Sequence, residues 1–121
     1  MAEQLMDNPY SFILITFGII IIIAGLALKF IPPKKPNWLY GYRTKRSMKG
    51  QVEWDYAQQF SSKLSIRYGL SSMAISTAGY FLDLSEKVGL LIAIFWIIVV
   101  SILLIYKVEK ELKEKFDLPN E

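Results

Sequence analysis

The sequence contains neither cysteine nor histidine among its 121 residues. The lack of cysteine removes disulfide bonds and thiol nucleophiles, and the lack of both residues removes Cys/His metal sites. Histidine is also the side chain most often used as a general base near neutral pH. The apolar segments contain no pair of carboxylates, and no phosphate-binding loop occurs. The sequence therefore predicts a protein that is not an enzyme and that has no catalytic residues, no metal site and no cofactor.

Two long apolar stretches lack any charged residue, namely residues 12–28 and 88–106. An α-helix rises 1.5 Å per residue, so each stretch with its flanking apolar residues can cross a hydrocarbon core about 30 Å thick. No lysine or arginine precedes the first stretch and no cleavage pattern closes it, so we expect a retained helix rather than a cleaved signal peptide. Asn8 is the predicted N-cap of this helix, and Pro9 is its first residue.

A third helix is predicted between these two, although it is less apolar. Residues 64–84 include Arg67 together with several serine and threonine residues. The uncharged part, residues 68–82, is short for a complete crossing unless the Arg67 side chain extends to one face of the bilayer. No helix-breaking residue precedes it as far back as Gln51, so we predict one long helix whose first turns lie outside the membrane.

The predicted fold is an all-α membrane protein with three transmembrane helices in a single domain. The helices cover about residues 10–31, 51–83 and 85–109, joined by a basic loop over residues 32–50 and followed by a charged tail over residues 107–121. We interpret the tail as a solvated helical end, because Glu109–Lys113 and Glu111–Lys115 are acid-then-base pairs at four-residue spacing.

The positive charges predict the orientation of the chain. Seven lysine and arginine residues lie within residues 29–49, four lie in the tail and only one lies in the link over residues 83–87. The positive-inside rule then places the N-terminus outside and both the basic loop and the C-terminus inside. The loop and the tail share one side only if the second helix also crosses the membrane.

The second predicted helix carries two kinds of surface. Its small residues are Gly69, Ser71, Ser72, Ala74, Ser76, Ala78 and Gly79. Small residues let helices approach closely in lipid, so we expect this helix in the middle of the bundle, with Gly18 and Gly25 marking the contact side of the first helix. Asp55, Gln59, Lys63, Arg67 and Ser71 recur at every fourth residue and form a slowly winding polar stripe.

The basic loop combines turn-forming residues, aromatic residues and cations. Its aromatic residues, with Trp54 just beyond it, are of the kind found at membrane interfaces, and its cations are suited to anionic lipid headgroups. Such a loop is typical of the cytosolic side of a membrane protein. The grouping of Asn37, Gly41, Arg43 and Thr44 between aromatic residues is more elaborate than an orientation signal requires.

The motif Asn37-x-x-x-Gly41-x-Arg43-Thr44, which follows one apolar helix and precedes Trp54 and two further helices, resembles the SdpI family. The resemblance extends over nearly the whole chain. It implies a multi-pass protein of the bacterial cytoplasmic membrane that protects against, or senses, a membrane-active peptide toxin. The founding member also holds a repressor at the membrane. This chain lacks the additional N-terminal helices of longer members, and Lys45 follows Thr44 where many of them have proline.

An alternative function is binding of an anionic lipid or small molecule, or a role as a transporter component. Here Arg43, Lys63 and Arg67 form a basic cytosolic pocket. The partner of Arg43 is open between an acidic residue of the second helix, Asp55 or Glu53, and a ligand.

The expected partners are the lipid bilayer, a peptide toxin, a cytosolic regulator and a second copy of the chain, because three helices alone bury little surface. Nucleic acid is not expected, since the basic loop is tied to the bilayer.

Overall fold

The computed structural model describes residues 2–116, apart from the side chains of Ala2, Leu5 and Met6. Within this range the regular secondary structure is helical, and residues 31–50 form a loop of turns and bends. The elements are α1 (Ala2–Asp7), α2 (Pro9–Phe30), α3 (Gln51–Phe81) and α4 (Glu86–Phe116). The short α1 was not predicted, and α4 continues beyond its expected end near residue 109. Residues 117–121 of the predicted tail lie outside the described residues.

Helix α2 begins where the sequence predicts. The Asn8 side chain accepts a hydrogen bond from the backbone N–H of Tyr10 at 3.3 Å, and Pro9 is the first helical residue. Proline suits this position because the first N–H groups of a helix have no partner within it. The helix ends at Phe30, ahead of Pro32 and Pro33.

Helices α2 and α3 pack at very close range along their length. A Cβ atom added at Gly18 would lie 2.7 Å from the carbonyl oxygen of Gly69, and one at Gly25 would lie 2.9 Å from that of Ser62. The Ser62 hydroxyl donates a hydrogen bond to the Gly25 carbonyl at 2.8 Å. The prediction that both glycines face the neighbouring helix is therefore confirmed.

The small residues of α3 divide between its two faces. Gly69, Ser72, Ser76 and Gly79 are buried, as the packing prediction requires, whereas Ser71, Ala74 and Ala78 are exposed. The buried Ser72 hydroxyl accepts a hydrogen bond from the indole N–H of Trp96 on α4 at 2.8 Å. Packing against other helices thus accounts for four of the seven small residues, because the two neighbouring helices cover only one side of α3.

The helix packing differs at the two ends of the bundle. At the Tyr10 end, Tyr10, Leu14 and Ala93 are buried together, and the Tyr10 ring lies where a Cβ atom of Gly89 would stand. At the loop end, α3 and α4 pack against each other and against the loop between α2 and α3. The buried residues of that cluster are Ala57, Leu64, Val108 and Leu112.

The burial of Val108 and Leu112 changes the interpretation of the tail. Both side chains are almost completely buried, so this part of α4 is not simply a solvated end. The two residues are four apart and therefore share one helix face, which packs against Ala57, Leu64 and the rings of Tyr56 and Phe60. The first turns of the tail are part of the core at the loop end.

Two helices, Pro9–Phe30 and Glu86–Phe116, are long and apolar enough to cross a membrane. Their exposed surfaces are rich in large apolar side chains, including Ile20 and Ile23 on α2 and Leu91 and Phe95 on α4. Helix α3 does not pass the same criterion, because polar and charged residues interrupt it. A third crossing therefore remains a prediction.

Candidate functional site: the loop between α2 and α3

Trp54 anchors the loop to the first turn of α3. Its side chain has no exposed surface, and its indole N–H donates a hydrogen bond to the carbonyl oxygen of the buried Pro33 at 2.8 Å. The Gln51 side chain donates to the carbonyl of Lys34 in the same way. The chain leaving α2 is therefore tied back to the start of α3.

Asn37 forms the turn at the outer edge of the loop. Its side-chain oxygen accepts hydrogen bonds from the backbone N–H groups of Leu39 at 2.9 Å and Tyr40 at 2.8 Å. Its amide nitrogen donates to the carbonyl of Lys35 at 3.0 Å. An asparagine that binds nearby backbone in this way replaces turn hydrogen bonds, so this predicted site residue shapes the loop.

Gly41 lets the loop lie directly on α3. It adopts φ = 104°, a conformation that side chains with a Cβ atom resist. An added Cβ would also stand 2.7 Å from the side-chain oxygen of Gln58 and 2.8 Å from Cγ of Pro33. The need for glycine is therefore both conformational and steric.

Gln58 pairs with the backbone of Tyr42 through both ends of its amide. Its oxygen accepts from the Tyr42 N–H at 2.7 Å, and its nitrogen donates to the Tyr42 carbonyl at 2.9 Å. The Gln58 side chain is only 1% exposed, so both of its polar atoms are satisfied in a buried setting. A buried amide whose hydrogen bonds are all made holds the neighbouring backbone in a single position.

A compact turn follows Tyr42. The backbone N–H of Thr44 donates to the Ser47 hydroxyl at 2.8 Å, and the N–H of Ser47 donates to the Thr44 hydroxyl at 3.2 Å. Ser47 has no exposed surface. The reciprocal bonds leave the hydroxyl proton of Thr44 free to point away from the turn, towards α4.

Glu109 on α4 receives three donors from the loop. Its carboxylate accepts hydrogen bonds from the hydroxyls of Tyr42 at 2.8 Å and Thr44 at 2.6 Å, and it forms an ion pair with Arg46 at 3.3 Å. We call Tyr42, Thr44, Arg46 and Glu109 the Glu109 clamp. Hydrogen bonds to an ionised acceptor are stronger than neutral ones, and three of them here join the loop to α4.

The clamp alters the acidity of its tyrosine. Burial raises the pKa of the Tyr42 hydroxyl well above its usual value of 10.0, and the neighbouring Glu109 carboxylate raises it further. Both effects disfavour the phenolate. Tyr42 therefore keeps its proton and remains a hydrogen-bond donor at neutral pH.

A second tyrosine–carboxylate contact supports α4 two residues further on, at Glu111. The Tyr56 hydroxyl donates to Glu111 at 2.8 Å, and this hydrogen bond raises the pKa of Tyr56. The ammonium of Lys115 lies 4.1 Å from the centre of the Tyr56 ring. Glu111 and Lys115, which were predicted to pair with each other, thus both contact Tyr56 of α3.

Arg43 contacts neither of its expected acidic partners. Its guanidinium donates a hydrogen bond to the carbonyl of Trp38 and lies 5.9 Å from the centre of the Trp38 ring. Asp55 instead accepts a hydrogen bond from Gln51 at 2.8 Å. Arg43 is exposed and braces the outer part of the loop.

The polar stripe of α3 is exposed over its whole length. Asp55, Gln59, Lys63, Arg67 and Ser71 all have exposed side chains, so they lie on one face as the spacing predicted. Lys63 lines a shallow cleft that also includes Lys29 from α2. Lys63 therefore lines the same cleft as Lys29, whereas Arg43 lies against Trp38.

The loop also covers a crevice between the helices. The crevice has a volume of about 260 Å³ and is bounded on one side by the backbone and rings of residues 40–42. Its helical lining is Ala24, Leu28, Ser61, Ser65 and Leu104. We call this space the interhelical crevice. Within residues 2–116, no group of three or more carboxylates is arranged to hold a metal ion.

Five residues of this site were not among the predicted site residues, namely Tyr42, Arg46, Ser47, Gln58 and Glu109. Gln58 follows Trp54 by one helical turn, and this spacing is a signal that places the two on one face. Glu109 lies between the apolar residues Val108 and Leu112, which was a weak sign that this turn faces the protein. No local pattern indicated that Glu109 meets residues more than sixty positions earlier.

Comparison with known proteins places these features in a family. Residues 34–107 match the model of the SdpI/YfhL protein family. This range contains most of the loop, all of α3 and most of α4, and it ends two residues before Glu109. The chain is also 38% identical over 96 residues to the protein YfhL of Bacillus subtilis (strain 168), itself described as uncharacterized. That alignment covers 79% of this chain and 82% of the relative.

No solved structure matches the chain. The matched range takes in every predicted signature residue, from Asn37 to Trp54, and accounts for more than half of the sequence. The chain belongs to the SdpI/YfhL protein family.

Proposed function

We propose that this protein acts as an SdpI-type immunity protein of the bacterial cytoplasmic membrane, which protects the membrane against a membrane-active peptide toxin or signals its presence. Membership of the SdpI/YfhL family supports this proposal. The protein does so without catalysis, through binding. The observation that carries the proposal is that the family's signature residues form one ordered loop, joined to α3 by Gln58 and to α4 by Glu109.

The proposal includes three membrane crossings with the loop on the cytosolic side. The close packing of α3 against α2 supports a crossing by α3. Contacts run from Gly25 with Ser62 to Tyr10 with Gly79. The fifteen residue-to-residue steps from Tyr10 to Gly25 span about 22 Å at the helical rise of 1.5 Å per residue. An antiparallel partner in contact over that distance shares most of the bilayer thickness with α2.

The charge distribution supports the orientation. The loop carries six cations, and α4 ends with four lysines at the same end of the bundle. Both groups then lie in the cytosol, in agreement with the positive-inside rule. A cytosolic regulator would meet this end of the protein, where Trp38, Leu39 and Arg43 are exposed.

The interhelical crevice is the proposed place of contact with a toxin peptide. Its walls are small or apolar residues, and its cover is the signature stretch over residues 40–42. A buried apolar side chain of a peptide fits such a space better than a charged group, because no described charged residue lines it.

The test is survival of a toxin-sensitive bacterial host that expresses this chain, after challenge with a peptide toxin of the sporulation-delaying type. We expect the intact protein to protect and the Glu109→Ala variant to lose most of the protection, because the loop is then released from α4. The matched control is Glu114→Ala, which removes an exposed carboxylate from the same helix. Equal killing with the intact protein and with an empty vector, at equal membrane expression, would disprove the immunity function.

A further inference from the structure

A cleft separate from the signature loop lies between the last turn of α2 and the exposed face of α3. It has a volume of about 270 Å³ and is lined by Lys29, Gln59, Ser62, Lys63 and Ile66. The two lysines come from different helices. They belong to the same cleft because α2 and α3 touch one turn away, where Gly25 meets Ser62.

The two lysines of the cleft lack a counter-charge from the protein. Neither Lys29 nor Lys63 forms an ion pair with any residue that the structure describes, and no carboxylate lines the cleft. Asp55, two turns before Lys63 on the same exposed stripe, is bonded to Gln51. The Lys29 ammonium lies 5.4 Å from the centre of the Phe30 ring, a contact that leaves its charge unpaired. Two lysines that line one cleft without an acid form a site suited to an anion.

The remaining lining residues make the site amphipathic. Ser62 already donates its hydroxyl proton to the Gly25 carbonyl, so the side-chain amide of Gln59 is the neutral donor left to a ligand. Ile66 lies one turn deeper and is apolar. Beyond it, the exposed surface of α2 consists of large aliphatic side chains such as Ile19 and Ile23. Polar groups at one end and hydrocarbon at the other match a phospholipid.

We propose that this cleft binds the phosphate headgroup of an anionic phospholipid, with Lys29 and Lys63 on the phosphate and Gln59 as an additional donor. The acyl chains then lie along Ile66 and the aliphatic face of α2. The chemistry of phosphate would also suit a free inorganic anion, but the apolar end of the site favours the lipid. This cleft lies outside the signature loop, so lipid binding there does not depend on protection against a toxin.

The experiment is native mass spectrometry of the full chain in a neutral detergent, titrated separately with phosphatidylglycerol, phosphatidylcholine and inorganic phosphate. We expect phosphatidylglycerol to be retained and phosphatidylcholine to dissociate. Near an anionic surface each lysine is worth about fivefold in affinity, so Lys29→Gln with Lys63→Gln should weaken phosphatidylglycerol binding about 25-fold. Lys29→Arg with Lys63→Arg should retain most of the binding, since the charge is kept.

The matched control is Lys110→Gln with Lys113→Gln, which removes the same charge from exposed positions of α4. An unchanged affinity in this control supports the site, whereas an equal loss in both double variants overturns it. Equal retention of phosphatidylcholine also overturns it. If inorganic phosphate displaces phosphatidylglycerol at comparable concentration, the site is an anion site and the lipid proposal fails. Circular dichroism checks that each variant is folded.

Discussion

The two ends of the bundle are held together by different kinds of contact. At the Tyr10 end an aromatic ring fills the space left by a glycine, and the packing depends on shape. At the loop end a carboxylate, an amide and several hydroxyls hold a loop whose own sequence is rich in charge. Shape complementarity therefore joins the helices, while directional hydrogen bonds position the segment that carries the family's signature.

The largest effect is expected at the Tyr10 end. Tyr10→Ala should lower the free energy of unfolding by about 3 kcal/mol, because it removes a buried ring whose place neither Gly89 nor Ala93 can fill. Tyr106→Ala is the control, since that ring is 60% exposed. The free energy of unfolding of both variants is measured by adding a denaturing detergent to the protein purified in a mild detergent. Similar losses in the two variants would show that Tyr10 is not a packing centre.

Removal of the clamp carboxylate should cost less and act locally. Glu109→Ala leaves the Tyr42 hydroxyl and the Arg46 guanidinium without this partner, at a cost of about 2 kcal/mol. Because the clamp is partly exposed, water replaces some of the lost bonding. We expect faster hydrogen exchange in residues 42–49 and little change around Tyr10. Exchange that accelerates equally at both ends would contradict a division between them.

A third variant separates conformation from contact within the loop. Gly41→Ala should destabilise the loop by about 1–2 kcal/mol, since alanine at φ = 104° is strained and its Cβ meets Gln58. Gly50→Ala is the matched control, because φ = −167° is ordinary extended backbone and its Cβ meets only the movable end of Glu53. Hydrogen exchange of the loop measures both, and an equal effect would refute the special role of Gly41.

The smallest effect is a dependence of stability on alkaline pH at the loop end. The raised pKa of Tyr42 means that its contribution is complete below the usual value of 10.0 and is lost as the pH rises above it. The unfolded chain then ionises while the folded chain keeps the proton. Tyr42→Phe should therefore have a shallower fall in unfolding free energy above pH 10 than the intact protein. Identical slopes would indicate that Tyr42 titrates normally.

Local patterns predicted the parts of the fold that depend on neighbouring residues. Asn8 and Pro9 set the start of α2, and uninterrupted helical sequence set the start of α3 near Gln51. The contact side of α2 followed from Gly18 and Gly25, because close helix approach in an apolar environment requires small residues.

The sequence was less informative where distant segments meet. Glu109 was interpreted as the partner of Lys113, since that spacing is favourable on any helix, and only the three-dimensional fold brings Tyr42, Thr44 and Arg46 to it. Acidic residues were considered as partners of Arg43 because of its positive charge. Its contact with Trp38 depends instead on the turn that Asn37 makes. The contacts of Arg43 and Glu109 therefore differ from those that the sequence suggested, while the role of the signature residues stays a prediction.

The hydrogen bond from Trp54 to Pro33 bears on how the protein is made. Both residues precede α4 in the chain. The hydrogen bond can therefore hold α2 and α3 together as a hairpin before α4 leaves the ribosome. Helix α3 is too polar to be a good candidate for entering a membrane alone, yet its small-residue face already has α2 beside it. We therefore expect the translocation machinery to receive the two as a paired unit, with α4 arriving last to complete the Glu109 clamp.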